Sequence, residues 1–219
     1  MITKFQNGMK KWFRTITIIA FFNLFGYISF AQLQFGYVAG LDFYQRYTNA
    51  DEILANGSSG SALLNLIAGP KIWIGGPEFS MSLEGQVNLG LFALDVKDYK
   101  GLGAVSFPLL AKFNFEGLTG MDAEFEWGVS FGGGIQWSKT ELYYLDSDYA
   151  NIGVERPLFP AYIIELGIGR GGFGLDGQIY MRYGFHPDTD VSVFNIGLVF
   201  DFVKTFDRDK AFEELMNKN

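Results

Sequence analysis

Eight times between Leu33 and Phe202 the chain alternates apolar and polar residues one for one. That period of two belongs to strands, whose successive side chains point to opposite faces, and it excludes helix, whose apolar positions recur every three to four residues. The cleanest run, the third, sets Phe79, Met81, Leu83, Val87, Leu89 and Leu91 against Ser80, Ser82, Glu84, Gln86, Asn88 and Gly90. The first carries Leu33, Phe35, Tyr37 and Leu41 opposite Gln34, Gly36, Gly40 and Asp42, and the second covers Ala62 to Ile74. In the fourth, Val105 to Phe115 alternate with Ser106, Lys112 and Asn114; in the fifth, Phe125 to Trp137 alternate with Glu124, Glu126, Ser130 and Gln136. Tyr162–Ile168, Phe173–Tyr183 and Phe194–Phe202 complete the set. Several runs reach ten residues, the length a tilted strand needs to cross a bilayer.

The connections alternate as well. Long polar stretches at Gln45–Gly60, Leu94–Gly103, Lys139–Pro157 and His186–Asp190 take turns with short ones at Gly75-Gly76-Pro77, Glu116–Asp122 and Gly169–Gly172. The pattern predicts an all-β fold, an eight-stranded antiparallel up-and-down transmembrane β-barrel with long extracellular loops and short periplasmic turns. An even number of strands then leaves both termini periplasmic.

Alternation alone also fits a soluble lipocalin-like barrel with an apolar interior and a polar outside. The kind of polar residue separates the two. A water-facing wall is rich in Lys, Arg, Glu and Asp, whereas here the polar face is mostly Gly, Ser, Gln and Asn with scattered charges. Such residues suit a narrow lumen, and the stripes of Phe, Tyr, Trp, Leu and Ile opposite them suit lipid.

The N-terminus supplies the address. Lys4, Lys10, Lys11 and Arg14 precede an apolar run from Ile16 to Phe25, and Ser29-Phe30-Ala31 follows. This order predicts a secretory signal over 1–31 cleaved after Ala31, with Met9 an alternative start. The other reading, a membrane anchor, meets a run that is short and interrupted by Asn23 and Gly26. The division is therefore 1–31 signal peptide, 32–203 barrel and 204–219 periplasmic tail, where Ala211, Phe212, Leu215 and Met216 stand at helical spacing. The location expected is the outer membrane of a Gram-negative bacterium, among its lipid and lipopolysaccharide.

The net charge of -7 falls to about -11 once the basic leader is removed, and no basic stripe is present. Nucleic acid is excluded as a partner. The absence of cysteine removes disulfides, thiolate zinc sites and cysteine nucleophiles. No motif calls for a cofactor or a metal. Asp146-Ser147-Asp148 and Asp188-Thr189-Asp190 lack the Gly and distal Glu of a calcium loop and read as solvated.

The inward positions define an interior polar network of Lys71, Glu84, Lys112, Glu124, Glu126, Glu165, Asp176 and Arg182, with Asp42, Glu116 and Asp201 on the same face. If the fourth and fifth strands form a hairpin centred near Thr119, Lys112 lies opposite Glu126. These charges read as a plug rather than a pore lining, because eight strands leave little free lumen. His186, the single histidine, lies near Asp188 and Ser192 as a candidate acid-base and nucleophile, but nothing else marks that serine as activated. Tyr99, Tyr143, Tyr144 and Tyr149 gather in the long loops as an aromatic belt or a contact surface.

With its export signal, eight strands, the Phe107-Pro108-Leu109-Leu110-Ala111-Lys112 strand and the closing Phe200-Asp201-Phe202, the chain resembles the small outer-membrane β-barrels of Bacteroidota known as PorT-like, with the architecture of OmpA and OmpX barrels. The resemblance covers Gln32 to Val203. It departs at the C-terminus, where Lys204–Asn219 continues past the last strand. It implies a non-enzymatic barrel that supports envelope assembly or secretion, with a secretion or envelope protein as partner, or one that makes contacts through extracellular loops. The alternatives are a narrow pore for small solutes and a lipid A-modifying enzyme at the outer rim.

Overall fold

A computed structural model describes residues 32–48, 59–90, 92–97, 102–122, 124–143 and 158–204, together with 213, 216 and 217. The signal segment 1–31, Tyr99, Tyr144, Tyr149 and nearly all of the tail lie outside the described residues.

Eight strands form one sheet. They are β1 Gln32–Thr48, β2 Ser59–Leu63 continuing as Asn65–Gly75, and β3 Phe79–Gly85 continuing as Val87–Gly90 and Phe92–Lys97. Then come β4 Leu102–Glu116, β5 Glu126–Tyr143, β6 Phe159–Gly172, β7 Leu175–Phe185 and β8 Ser192–Val203. Every strand is antiparallel to its chain neighbours, and β1 closes on β8 from Gly36↔Val203 to Thr48↔Ser192. The result is a closed eight-stranded antiparallel barrel, which leaves no sheet edge along the closed wall.

Two of the three interruptions have local causes. Leu64 takes a left-handed conformation (φ 54°) and leaves β2 for one residue. In β3 the break at Gln86 faces Pro108: the Gln86 N–H donates to the Pro108 carbonyl at 2.8 Å, and proline has no N–H with which to return the bond.

The side chains sort by face as the alternation requires. Ile164, Leu166 and Ile168 are each 57% exposed on the outer wall, while Glu165 between them is buried. On β5 the outward positions run from Trp127 to Trp137. Ten residues at ~3.3 Å rise and a tilt of about 40° span roughly 25 Å of height, the thickness of the apolar band of an outer-membrane barrel. Aromatic residues stand at both borders of this band, with Trp127, Phe125 and Tyr37 towards the short turns and Trp137, Tyr162 and Phe185 towards the long loops.

Two of the short turns are tight. Gly76–Glu78 joins β2 to β3, with the Gly76 N–H bonded to the Phe79 carbonyl at 2.8 Å. β6 and β7 are joined by Phe173 and Gly174, whose φ values of 56° and 76° make a type I′ hairpin. The sequence places that turn at Gly169–Gly172; those residues instead continue the strand, because Gly172 pairs with Leu175.

The third turn, between Glu116 and Glu126, is longer and folds into the mouth of the barrel. Leu118, Thr119 and Met121 are buried there. A Cβ on Gly120 (φ 75°) would lie 3.2 Å from the Trp73 ring. Thr119 Oγ1 donates to the Pro77 carbonyl at 3.0 Å, and Ser80 Oγ donates to the Thr119 carbonyl at 2.9 Å. The turn acts as a cork at the short-turn end. Its length also corrects the expected register. Glu116 pairs with Gly128 and Lys112 with Gly132, so Lys112 does not face Glu126. Glu116, Glu124 and Glu126 are exposed at the rim and are not interior groups, because the alternation of the fifth run begins before the wall does.

Candidate functional site

Inside the wall, six ionised side chains from six strands form a single ladder. Lys71 on β2 and Glu84 on β3 are direct cross-strand partners and meet at 3.2 Å. Lys71 Nζ also reaches Asp201 of β8 at 2.6 Å. Lys112 of β4 bridges Glu84 at 3.1 Å and Glu165 at 2.8 Å. Glu165 on β6 faces Arg182 on β7 in register, and the guanidinium gives Nε at 2.8 Å and Nη2 at 2.6 Å to one carboxylate oxygen. The sequence Asp201, Lys71, Glu84, Lys112, Glu165, Arg182 thus alternates in sign and sums to zero. All six groups are buried. Burying an isolated charge is prohibitive, so each group is held only because its neighbours neutralise it.

One glycine makes the longest link possible. Gly132 of β5 lies between Lys112 and Glu165 in register, and a Cβ there would come within 2.6 Å of Lys112 Cγ. With hydrogen in that place the lysine stem crosses β5 and reaches β6. Gln86 ties the ladder to its last member, donating to Glu84 and accepting from Arg182 Nη2 at 2.8 Å. The Lys71 ammonium lies 5.0 Å from the Trp73 ring and the Arg182 guanidinium 5.1 Å from that of Tyr180, so the cations are also covered by aromatic faces.

Two further buried carboxylates stand outside the ladder. Asp42 on β1 accepts from the Tyr180 hydroxyl, from Asn195 Nδ2 at 2.7 Å and from Asn65 Nδ2 at 3.3 Å. Asp176 on β7 faces Asp201 across the β7–β8 pair and is not bonded to any ladder cation. Of the interior residues named from the sequence, the structure brings Lys71, Glu84, Lys112, Glu165 and Arg182 together, sets Asp176 beside them, and leaves Glu124 and Glu126 at the rim. Gln86, the uncharged connector, was not singled out among the interior groups; its place two residues after Glu84 on the same face was the available signal.

The remaining candidates sit apart. His186 Nδ1 accepts from the Asp188 N–H at 3.3 Å, and its ring stacks at 6.4 Å from Tyr162. Among the described residues no hydrogen bond joins His186 to Ser192. Tyr143 ends β5.

A barrel with an apolar outer wall and an interior filled by its own charges defines a small membrane-spanning β-barrel. No protein-family profile matches the chain, and no curated protein does. Among solved structures, the crystal structure of the outer membrane protein OprG from Pseudomonas aeruginosa is similar at 13% identity and a TM-score of 0.42, covering 78% of this chain and 95% of that one.

Proposed function

We propose that this chain is a non-enzymatic outer-membrane barrel of a Gram-negative bacterium. It is closed to solutes and acts through what its wall and loops touch, resembling PorT-like proteins in supporting envelope assembly or secretion. The observation that carries this reading is the closed ladder from Asp201 to Arg182, with the cork of Leu118, Thr119 and Met121 beneath it. An eight-stranded lumen has room for its own side chains and little more, and these side chains are bonded to one another. Both ends of the barrel segment lie with the short turns, which supports a periplasmic tail and long loops on the cell exterior. The lipid partners are those of the outer membrane, lipopolysaccharide included, and the protein partner is an envelope or secretion component met by the loops. The engagement of His186 with its own loop argues against lipid A chemistry at the rim.

Reconstitution into planar bilayers tests closure. The full-length mature protein is expected to give no sustained current, and a steady open-channel current would overturn the proposal in favour of the pore. Fractionation with N-terminal sequencing tests the address: the expected result is a membrane-bound chain beginning at Gln32.

A further inference from the structure

One buried carboxylate is left over when the interior charges are paired. The ladder is neutral without Asp176, and Asp176 has no ion-pair partner among the described residues. Asp42, the other carboxylate outside the ladder, is met by donors from Tyr180, Asn195 and Asn65. Asp176 instead accepts the backbone N–H of Gly120, in the cork, and its Oδ2 is left without a partner. Directly across the β7–β8 pair stands Asp201, whose Oδ2 accepts from Lys71 at 2.6 Å and whose Oδ1 likewise lacks a partner. Both aspartates are 1% exposed.

The charged groups turned towards Asp176 either add to the surplus or are already spent. Asp201 faces it from β8 and Asp122 from the end of the cork, and both are acids. Lys71 of β2, the cation in reach among the described residues, is bonded to Glu84 and Asp201. Gly171, its register partner on β6, and Gln178, the next inward residue of β7, bring no charge, and Glu126 of β5 is exposed at the rim. A buried carboxylate beside a second one, without a counter-ion, is held by taking up a proton: two carboxylates sharing a site do not both ionise. The proton also repairs the bonding. Side chains directly opposite in an antiparallel pair have Cβ atoms about 4.5–5.5 Å apart, and a carboxyl O–H donates where two carboxylates could only accept, so one hydrogen bond serves both unpartnered oxygens.

We propose that Asp176 and Asp201 share one proton at neutral pH, and that this pair is a latch between the cork and the ladder that releases when the proton leaves. The bonds run from the Gly120 N–H to Asp176, through the shared proton to Asp201, and on to Lys71. Asp176 is level with Gly171 and Glu126, one residue beyond the row of Trp127, Arg170 and Gly177 at the border of the apolar band, so the proton passes to water at the short-turn mouth and not through lipid. Its loss sets two negative charges side by side beneath the cork. Asp176 is then driven away from Asp201, and Gly120 loses its acceptor. The packing there is close: Asp176 Oδ1 and the Gly117 carbonyl, at the stem of the cork, both lie against Gly171, where a Cβ would collide with each. A carboxylate that moves here moves the cork.

The test compares the full-length mature protein with Asp176→Asn, which keeps an acceptor for Gly120 and a donor for Asp201 but has no proton to lose. In the unfolded chain an aspartate ionises at about pH 3.9, so above that pH unfolding releases the shared proton and the folded state weakens as pH rises. Guanidinium titrations in phosphatidylcholine vesicles are expected to show the wild-type unfolding constant rising about ten-fold per pH unit relative to that of Asp176→Asn, between about pH 5 and 7. Amide exchange at Gly120 should lose protection at alkaline pH in the wild type and not in the variant. Infrared spectra at neutral pH should show the carbonyl stretch of a protonated carboxyl that is missing from Asp176→Asn, and missing also from Asp201→Asn, where Asp176 alone neutralises Lys71. If Asp176→Asn does not fold, the wild-type band and its fate in Asp201→Asn decide. The proposal is overturned if the folded variants keep the band, if the ratio of the two unfolding constants does not change with pH, or if Gly120 exchange responds to pH alike in both proteins. It is overturned as well if millimolar calcium at neutral pH stabilises the wild type and not Asp176→Asn, which would put a cation in the place of the proton. A channel current would refute closure and leave these readings standing on their own.

Discussion

Leu166 is the position where the membrane reading is most exposed to refutation. It lies on the outer wall of β6, 57% exposed, with Phe131 and Met181 beside it in register. Tyr162 and Arg170, at the two borders of the band, are each four residues away on the same face. Four residues at ~3.3 Å rise and a tilt of about 40° place either border roughly 10 Å from Leu166 in height, so this side chain sits near the bilayer midplane. Arginine there should cost about 2–4 kcal/mol, whereas arginine at Tyr162, beside the headgroups, should cost about 0–1 kcal/mol. Guanidinium titrations of folding into phosphatidylcholine vesicles, followed by tryptophan fluorescence, measure both. If Leu166→Arg stayed within about 1 kcal/mol of wild type, or Tyr162→Arg cost as much, the outer wall would not be facing hydrocarbon.

The interior gives two further expectations. Glu165→Ala strands Arg182 and leaves the ladder one positive charge in excess, so unfolding in vesicles should show a loss of about 3–5 kcal/mol; Glu165→Met with Arg182→Met, which leaves Asp201, Lys71, Glu84 and Lys112 balanced, should recover most of it. Gly132→Leu drives a side chain into the path of Lys112 and should lower the folded fraction on heat-modifiable electrophoresis, while Gly76→Ala, with no atom within 4 Å of the new Cβ, should change it little.

The wall was legible in the sequence because it is a local property. Each strand declares its two faces by alternation, and the change from long to short connections declares which ends meet. The pairing inside was not, because it depends on turn length and on closure. Lys112 was set against Glu126 by centring a hairpin on Thr119, and the register moved when the turn proved long enough to fold back into the mouth. Leu118 and Met121 were the available signal, since two large apolar residues have no reason to sit in a solvated turn. The link from Lys112 to Glu165 skips a strand through Gly132, and no reading of neighbouring pairs could supply it. Asp176, though inward as its run requires, faces Asp201 and stays off the ladder because Lys71 is committed to Asp201 and Glu84.

A buried ion ladder stabilises weakly compared with an apolar core, so its retention calls for a second reason, and barrel closure supplies one. In a sheet of period two, slipping any strand by one residue turns its inward set outward. For β2, β3, β4, β6, β7 or β8 that slip would carry Lys71, Glu84, Lys112, Glu165, Arg182 or Asp201 into lipid, at about 2–4 kcal/mol for each basic group near the midplane and less for the acids. It would also leave the former partners unpaired inside. The outward Leu and Phe side chains are nearly interchangeable in hydrocarbon and discriminate poorly between registers. The charges do the discriminating: one ionised group on each of these six strands makes the observed register the one in which every charge is both out of the lipid and neutralised.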